Sequence, residues 1–250
     1  MINIDRTPES PQSLTSIEIQ HYLDSLEAYK EDQQLPKDQQ TISKPVSKES
    51  WRGTDLFERF DNEFHAKCYL TEQKFVTSWA MDVEHFVSRT ENPNLTYTWS
   101  NLYPAEHAAN MMKPRRTPVG GYLDPCNPLD DVESELLYLI DFGGQAVHFQ
   151  AQDRKNQKAV NTANLLKHLH NGSSPETINR TKDLRFAIYK KYEEVLRWMN
   201  KWRVAEKQGN AEEEFKAKSV LQGLLSRRSA FTMLMRSIET VKDLPDDFFD

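Results

Sequence analysis

Residues 82 to 89 read DVEHFVSR; Asn101 stands sixteen positions after His85, and Asn110 nine further on in the run NLYPAEHAANMMK. These residue types suit proton transfer beside a hard cation. An imidazole with an ordinary pKa of about 6.5 exchanges a proton near neutral pH, and a carboxylate and an amide oxygen are the donors that Mg²⁺ or Mn²⁺ prefers. Taken singly, each piece is ordinary. A Glu-His dipeptide at a strand end is commonly a surface pair, and an Asn ahead of a helix is commonly its cap. It is the joint spacing of His85, Asn101 and Asn110 that sets them apart.

That spacing resembles the HNH endonuclease motif. In that family a ββα unit carries a general-base histidine near the end of a strand, a structural asparagine before the helix, and a metal-ligating Asn or His on the helix. The resemblance implies that His85 is the base, that Asn101 orients it, and that Glu84 and Asn110 hold a divalent metal, Mg²⁺ first and Mn²⁺ as the alternative. Phosphodiester hydrolysis asks for such a set: water must lose a proton, and charge gathering on a nonbridging and a leaving oxygen must be met by a cation. Adjacent strand positions point to opposite sides, so Glu84 and His85 reach one phosphate together only if the strand ends or twists there. Asp82 shares the face of Glu84 and is either a substitute ligand or a solvated acid. His107 is expected on the helix surface or behind the ligands.

Many HNH members carry two CxxC pairs around a structural zinc; here the corresponding positions are Cys68, Thr71, Glu106 and Ala109. With three thiolates missing, no structural zinc of that kind is expected, and Cys68 reads as a small buried hydrophobe. Packing by Phe75, Trp79, Phe86, Leu102 and Met111 must then hold the unit. The likeness extends over MINIDRTPESP, WSNLYPAEHAANMMK, LDPCNPLDD and NRTKDLRFAI. These blocks resemble the PtuB-like HNH subunits of Septu-type antiphage defence systems, which also occur beside retrons. The resemblance implies a PtuA-like ATPase as partner, nucleic acid (DNA, or RNA such as tRNA) as substrate, and in some settings a retron complex. A non-catalytic adaptor with a degraded HNH unit, docking on the ATPase, is the competing class.

The positioning elements follow from pattern. After Thr54, a suitable N-cap, Leu56, Phe57, Phe60 and Phe64 form one helical stripe. Phe75, Val76, Thr77, Trp79, Met81 and Val83 lie beyond a TEQK turn, which reads as a β-hairpin ending near His85. Pro104 suits the first turn of a helix that Pro114 ends, so residues 66 to 113 read strand, strand, helix. RRTPVGGYLDPCNPLDD is a loop. A second hairpin is expected from ELLYLIDF and QAVHFQAQD, with Leu137, Leu139, Val147 and Phe149 as its alternating residues. Beyond Thr181 a helical hairpin is expected: Leu184, Ile188, Tyr192, Val195, Met199 and Trp202 form one stripe. Phe215, Leu221, Leu224, Leu225, Ala230, Leu234 and Ile238 form the other, across a KQGN break.

The 250 residues are 38% hydrophobic, with a formal charge of -6 and only two cysteines, Cys68 and Cys126. A disulfide framework is excluded, and with no apolar run long enough for a membrane span and no secretory layout at the start, a cytoplasmic location with no membrane partner is expected. The first fifty residues hold nine acids against five bases. They read as an arm with one amphipathic helix over Ile17, Ile19, Tyr22, Leu23, Leu26 and Tyr29, docked either on the body or on a partner. With the net charge negative, a polyanion must be met locally, by Arg89, Lys113, Arg115 and Arg116 near the motif. Residues 180 to 203 add eight bases against three acids, as a solvated face or a phosphate-contacting one. The expected architecture is α+β: an arm at 1–50, a nuclease domain at 51–175 with its ββα core at 66–113, and a C-terminal helical region at 176–250.

Overall fold

The structure, a computed structural model, describes residues 1–47 and 52–250. The expected junction of arm and body at residues 50 and 51 lies outside the described residues. In the arm, α1 (Ile17–Asp32) buries Ile19 and Leu26, while Ile17 stays exposed. Met1, Leu14 and Ile19 belong to the same hydrophobic cluster as Leu56, Phe60, Leu166 and Phe248, so the arm folds back on the body. Its Tyr22 ring meets Tyr97 edge-on at 5.4 Å.

Helix α2 (Thr54–Glu63) starts one residue earlier than its cap suggested: Gly53 is the N-cap, and Thr54 is already helical. Its stripe is buried as expected, with Leu56, Phe57 and Phe60 fully covered and Phe64 closing the turn. Each such ring removes enough apolar surface from water to contribute about 2–3 kcal/mol. TEQK is a tight turn, but it closes only an isolated bridge between Lys67 and Lys74, and no hairpin strand precedes His85. Instead β1 (Asp82–His85) pairs antiparallel with β2 (Leu102–Ala105), His85 opposite Leu102 and Asp82 opposite Ala105.

Pro104 is therefore a strand residue, not the first turn of a helix. Phe86 N–H donates to the Asn101 carbonyl, so alternation makes Val83–Pro104 a non-hydrogen-bonded pair, where a missing N–H costs nothing. The Pro104 carbonyl accepts from Tyr69 N–H at 3.0 Å. Helix α3 (His107–Met112) begins after Glu106, whose carboxylate caps the N–H groups of Ala108 and Ala109. The order is thus strand, sixteen-residue loop, strand, helix, with the long loop between the strands.

The segment from Lys113 to Glu135 has neither helix nor strand. Then β3 (Leu136–Asp141) and β4 (Ala146–Ala151) form the second hairpin. Val147 and Phe149 face inward, but on β3 the inward residues are Leu136 and Tyr138, with Leu137 and Leu139 in solvent. Helix α4 (Gln157–Asn171), unexpected from the pattern, packs on β4 through Ala159, Ala163, Leu166 and Leu169. After α5 (Pro175–Arg180), α6 (Lys182–Gln208) and α7 (Ala211–Leu225) form the helical hairpin. Gly209 ends α6 in the left-handed region at φ 66°, where a side chain would be strained. Phe215 is exposed rather than inward, and the second stripe breaks at Leu225, continuing in α8 (Thr232–Arg236) and α9 (Glu239–Lys242). The protein is mixed α+β with two small antiparallel sheets. Among the described residues no helix is long and apolar enough to cross a membrane.

The TEQK turn anchors a buried polar centre. Glu72, at φ 56°, takes the Met1 ammonium at 2.9 Å and the Met233 N–H at 3.1 Å, with Lys67 at 3.9 Å. Burial opposes its ionisation, but the Met1 ammonium and Lys67 outweigh that and hold its pKa at about 2. Nearby His170 is fully buried, and desolvation depresses its pKa to about 4 against the pull of the Leu166 carbonyl. A histidine depressed in the folded state is neutral there. Its stabilising effect is complete above the unfolded pKa of about 6.5 and is lost as pH falls toward 4. Glu72 acts in the same direction, between about 4.5 and 2. Unfolding free energy from urea titrations should therefore fall by about 3 kcal/mol between pH 6.5 and 4 on account of His170, and a His170→Asn variant should show a flatter profile. Identical profiles for the two proteins would remove His170 from the explanation.

Candidate active site

Strand β1 ends at His85, and the chain turns away at Phe86, so Glu84 and His85 both reach one cleft. The cleft, about 440 Å³, is lined by Glu84, His85, Arg89, Asn110, Lys113 and Arg115 together with Val83, Ser88, Thr90, Met111 and Pro114. Six of the eight residues singled out from sequence meet there. Of the other two, Asn101 lies behind the cleft, and Arg116 lines a smaller neighbouring concavity with Thr90, Glu91 and Thr117.

His85 is buried, and its Nε2 lies 2.9 Å from the Thr96 carbonyl. A carbonyl only accepts, so Nε2 carries the proton and Nδ1 is the basic nitrogen of the neutral ring. Burial lowers the His85 pKa to about 4, aided by the charges of Arg89 and Lys113 and opposed by the Thr96 carbonyl. The imidazole is neutral across the physiological range.

Asn101 secures the loop that supplies Thr96. Its side-chain Oδ1 accepts from Val87 N–H at 2.7 Å, and its Nδ2 donates to the carbonyls of Val87 at 3.0 Å and Leu95 at 3.1 Å. One buried amide thus ties both ends of the 86–101 loop, and Thr96 follows Leu95 directly. Asn101→Ala would leave these groups unsatisfied. A stability loss of about 2–4 kcal/mol is expected, with faster amide hydrogen exchange in residues 86 to 97. Unchanged exchange in that loop would rule the staple out.

Glu84 is buried in a defined pair of contacts. Tyr69 OH donates to its Oε2 at 2.9 Å, and Lys113 Nζ donates to its Oε1 at 2.6 Å. Lys113 Nζ also donates to the carbonyls of His85 at 3.0 Å and Phe86 at 2.9 Å. Burial pushes the Glu84 carboxyl up, against the lowering effect of Lys113 and Tyr69. Lys113 therefore sits as a buried counter-ion, whereas Arg89 and Arg115 give the cleft its exposed positive charge.

On α3, Asn110 donates its Nδ2 to Asp82 Oδ2 at 2.9 Å, which turns its amide oxygen away from that carboxylate. His107, largely exposed, shares the same Asp82 oxygen at 2.8 Å. Asp82 therefore orients the helix residues and does not line the cleft. Met111 and Trp79 are substantially exposed, while Leu102 is fully buried and Phe86 packs on the Tyr103 ring. The Cys68 thiol is fully buried, accepts from Thr71 N–H at 3.4 Å, and has its pKa raised by desolvation.

Two contributors escape sequence reasoning. Thr96 acts through its backbone carbonyl, which leaves no mark on residue type. Tyr69, fifteen positions before Glu84, is one aromatic among many. Among the described residues no group of three or more His, Cys, Asp or Glu side chains is arranged to hold a metal ion; oxygen donors at the cleft include Glu84, the Asn110 amide and the hydroxyls of Ser88 and Thr90, and beside Glu84 stand the carbonyls of His85 and Phe86. These last two carbonyls and Glu84 already surround one positive charge, that of Lys113, so the cage suits a cation in both donor chemistry and sign. No family model, curated protein or solved structure matches this chain.

Proposed function

We propose that this chain is an HNH endonuclease with a ββα-metal core, hydrolysing phosphodiester bonds of DNA or RNA as the effector subunit of an antiphage complex with a PtuA-like ATPase. The observation that carries the reading is the convergence of Glu84, His85, Asn110, Arg89 and Arg115 on one cleft, with Asn101 tying the loop behind His85. The defence setting and the ATPase rest on the sequence resemblance.

The chemistry follows from the residues. His85 Nδ1 takes the proton of the attacking water while Nε2–H stays on the Thr96 carbonyl, which holds the ring and supports the imidazolium as it forms. Arg89 and Arg115 hold the backbone phosphates without reading bases. Glu84 and Asn110 would hold a Mg²⁺ or Mn²⁺ ion, which, when bound, offsets charge on the phosphate oxygens. Asn101 keeps the base in place and touches no substrate.

One observation favours the adaptor reading instead: Lys113 already neutralises Glu84. The two readings separate in a single assay. The chain, co-purified with its ATPase and supplied with Mg²⁺ or Mn²⁺, should fragment at least one of labelled single-stranded DNA, duplex DNA and tRNA, and EDTA should stop it. A complex that assembles yet cuts none of them in either metal supports the adaptor.

A further inference from the structure

We propose that Lys113 is a built-in competitor for the divalent ion, so that the cation cage at Glu84 is closed at rest and opens only when the ammonium is displaced. The inference rests on the nuclease reading and adds a regulation of the same site. Three oxygens, Glu84 Oε1 and the carbonyls of His85 and Phe86, receive Lys113 Nζ at 2.6, 3.0 and 2.9 Å. An ammonium has three donors, and each finds one acceptor. The Lys113 side chain is only 6% exposed and Glu84 only 8%, so this is a buried pair and not a surface bridge that flickers in solvent.

The competition is physical. Lys113 Nζ fills the space between Glu84 Oε1 and the carbonyls of His85 and Phe86, so a divalent ion placed among those three oxygens would overlap the ammonium and be repelled by its charge. Taking a charge from a buried pair without replacing it is costly, so Lys113 leaves only as another cation arrives. The long lysine stem allows that exchange. Residue 113 lies just beyond the end of α3, and Pro114 and Arg115 beside it line the open side of the cleft, where a displaced ammonium meets solvent or a substrate phosphate. In this scheme substrate assists metal entry: its phosphates receive the lysine that the ion expels.

The test reads metal binding, not cleavage: Mn²⁺ bound equally by both proteins sinks the proposal and leaves the nuclease reading standing, whereas binding by neither counts against both. Mn²⁺ binding to the full chain is measured by isothermal titration for the wild type and for Lys113→Ala, with circular dichroism and melting as checks of folding. A folded Lys113→Ala should bind Mn²⁺ at least tenfold more tightly. Equal or weaker affinity in a folded variant, or binding by neither protein, overturns the proposal. Should Lys113→Ala fail to fold, the wild type decides alone. Saturating Mn²⁺ should raise the modification of Lys113 by an amine-reactive ester several-fold, as read by mass spectrometry, and a rate indifferent to Mn²⁺ overturns it.

Discussion

If the proposed nuclease reading holds, His85→Ala is expected to lower cleavage by about 10²- to 10⁴-fold, the range a positioned general base contributes, while the fold persists. The structural loss is small. Among the described residues, loss of the ring leaves the buried Thr96 carbonyl without its donor, a cost of about 1–3 kcal/mol. Single-turnover cleavage beside a melting curve separates the two effects. A variant that folds and cuts at the wild-type rate would remove His85 as the base.

Glu72→Ala is expected to lower stability by about 3–5 kcal/mol. Removing the carboxylate leaves the buried Met1 ammonium without a counter-ion and with Tyr138 OH at 3.0 Å as its neutral acceptor, takes an anion from buried Lys67, and frees the Met233 N–H. Breaking a buried pair on one side costs far more than deleting both partners. Lys67 keeps two other acceptors, the Arg227 carbonyl at 2.9 Å and Thr232 Oγ1 at 3.1 Å, so the Met1 ammonium bears most of the damage. Urea unfolding at pH 7 measures it, and a loss below about 1 kcal/mol would show that water reaches the centre.

The residues gathered at and behind the cleft were legible because they are close in sequence: Glu84 and His85 are neighbours, and Asn101 and Asn110 follow at short range. What positions them was less so. The β-branched and aromatic residues from Phe75 to Met81 suggested a strand, yet Ser78–Ala80 form a single 3-10 turn, because pairing went to a partner beyond the sixteen-residue loop. Pro104 looked like a helix start because local pattern carries no word of Tyr69, whose N–H reaches the Pro104 carbonyl and fixes that segment as extended. Helix α4 was missed because Lys158, Asn161, Asn164, Lys167 and His168 dilute a stripe whose first inward residues, Ala159, Thr162 and Ala163, are small.

Charge was the hardest to read. Lys113 looked like a phosphate contact from composition alone, and only the fold brings it to Glu84, 29 positions away. The arm was legible as a helix but not as to what it covers. The structure lays it against the loop that carries Thr96, through Tyr22 on Tyr97 and Lys30 on Asn94, so the arm braces the segment that holds the His85 ring.

The most direct measurement is chemical rescue of His85→Gly. The substitution opens a ring-sized space in the cleft while Arg89, Asn101 and Asn110 remain, and free imidazole can enter it. If His85 is the base, the ATPase complex of His85→Gly should cut its nucleic acid at less than about a hundredth of the wild-type rate. Added imidazole should then restore cleavage in proportion to its neutral form, rising through about pH 7, whereas the wild type should hold its rate down toward the His85 pKa of about 4. Full cleavage by the glycine variant without imidazole would contradict the assignment.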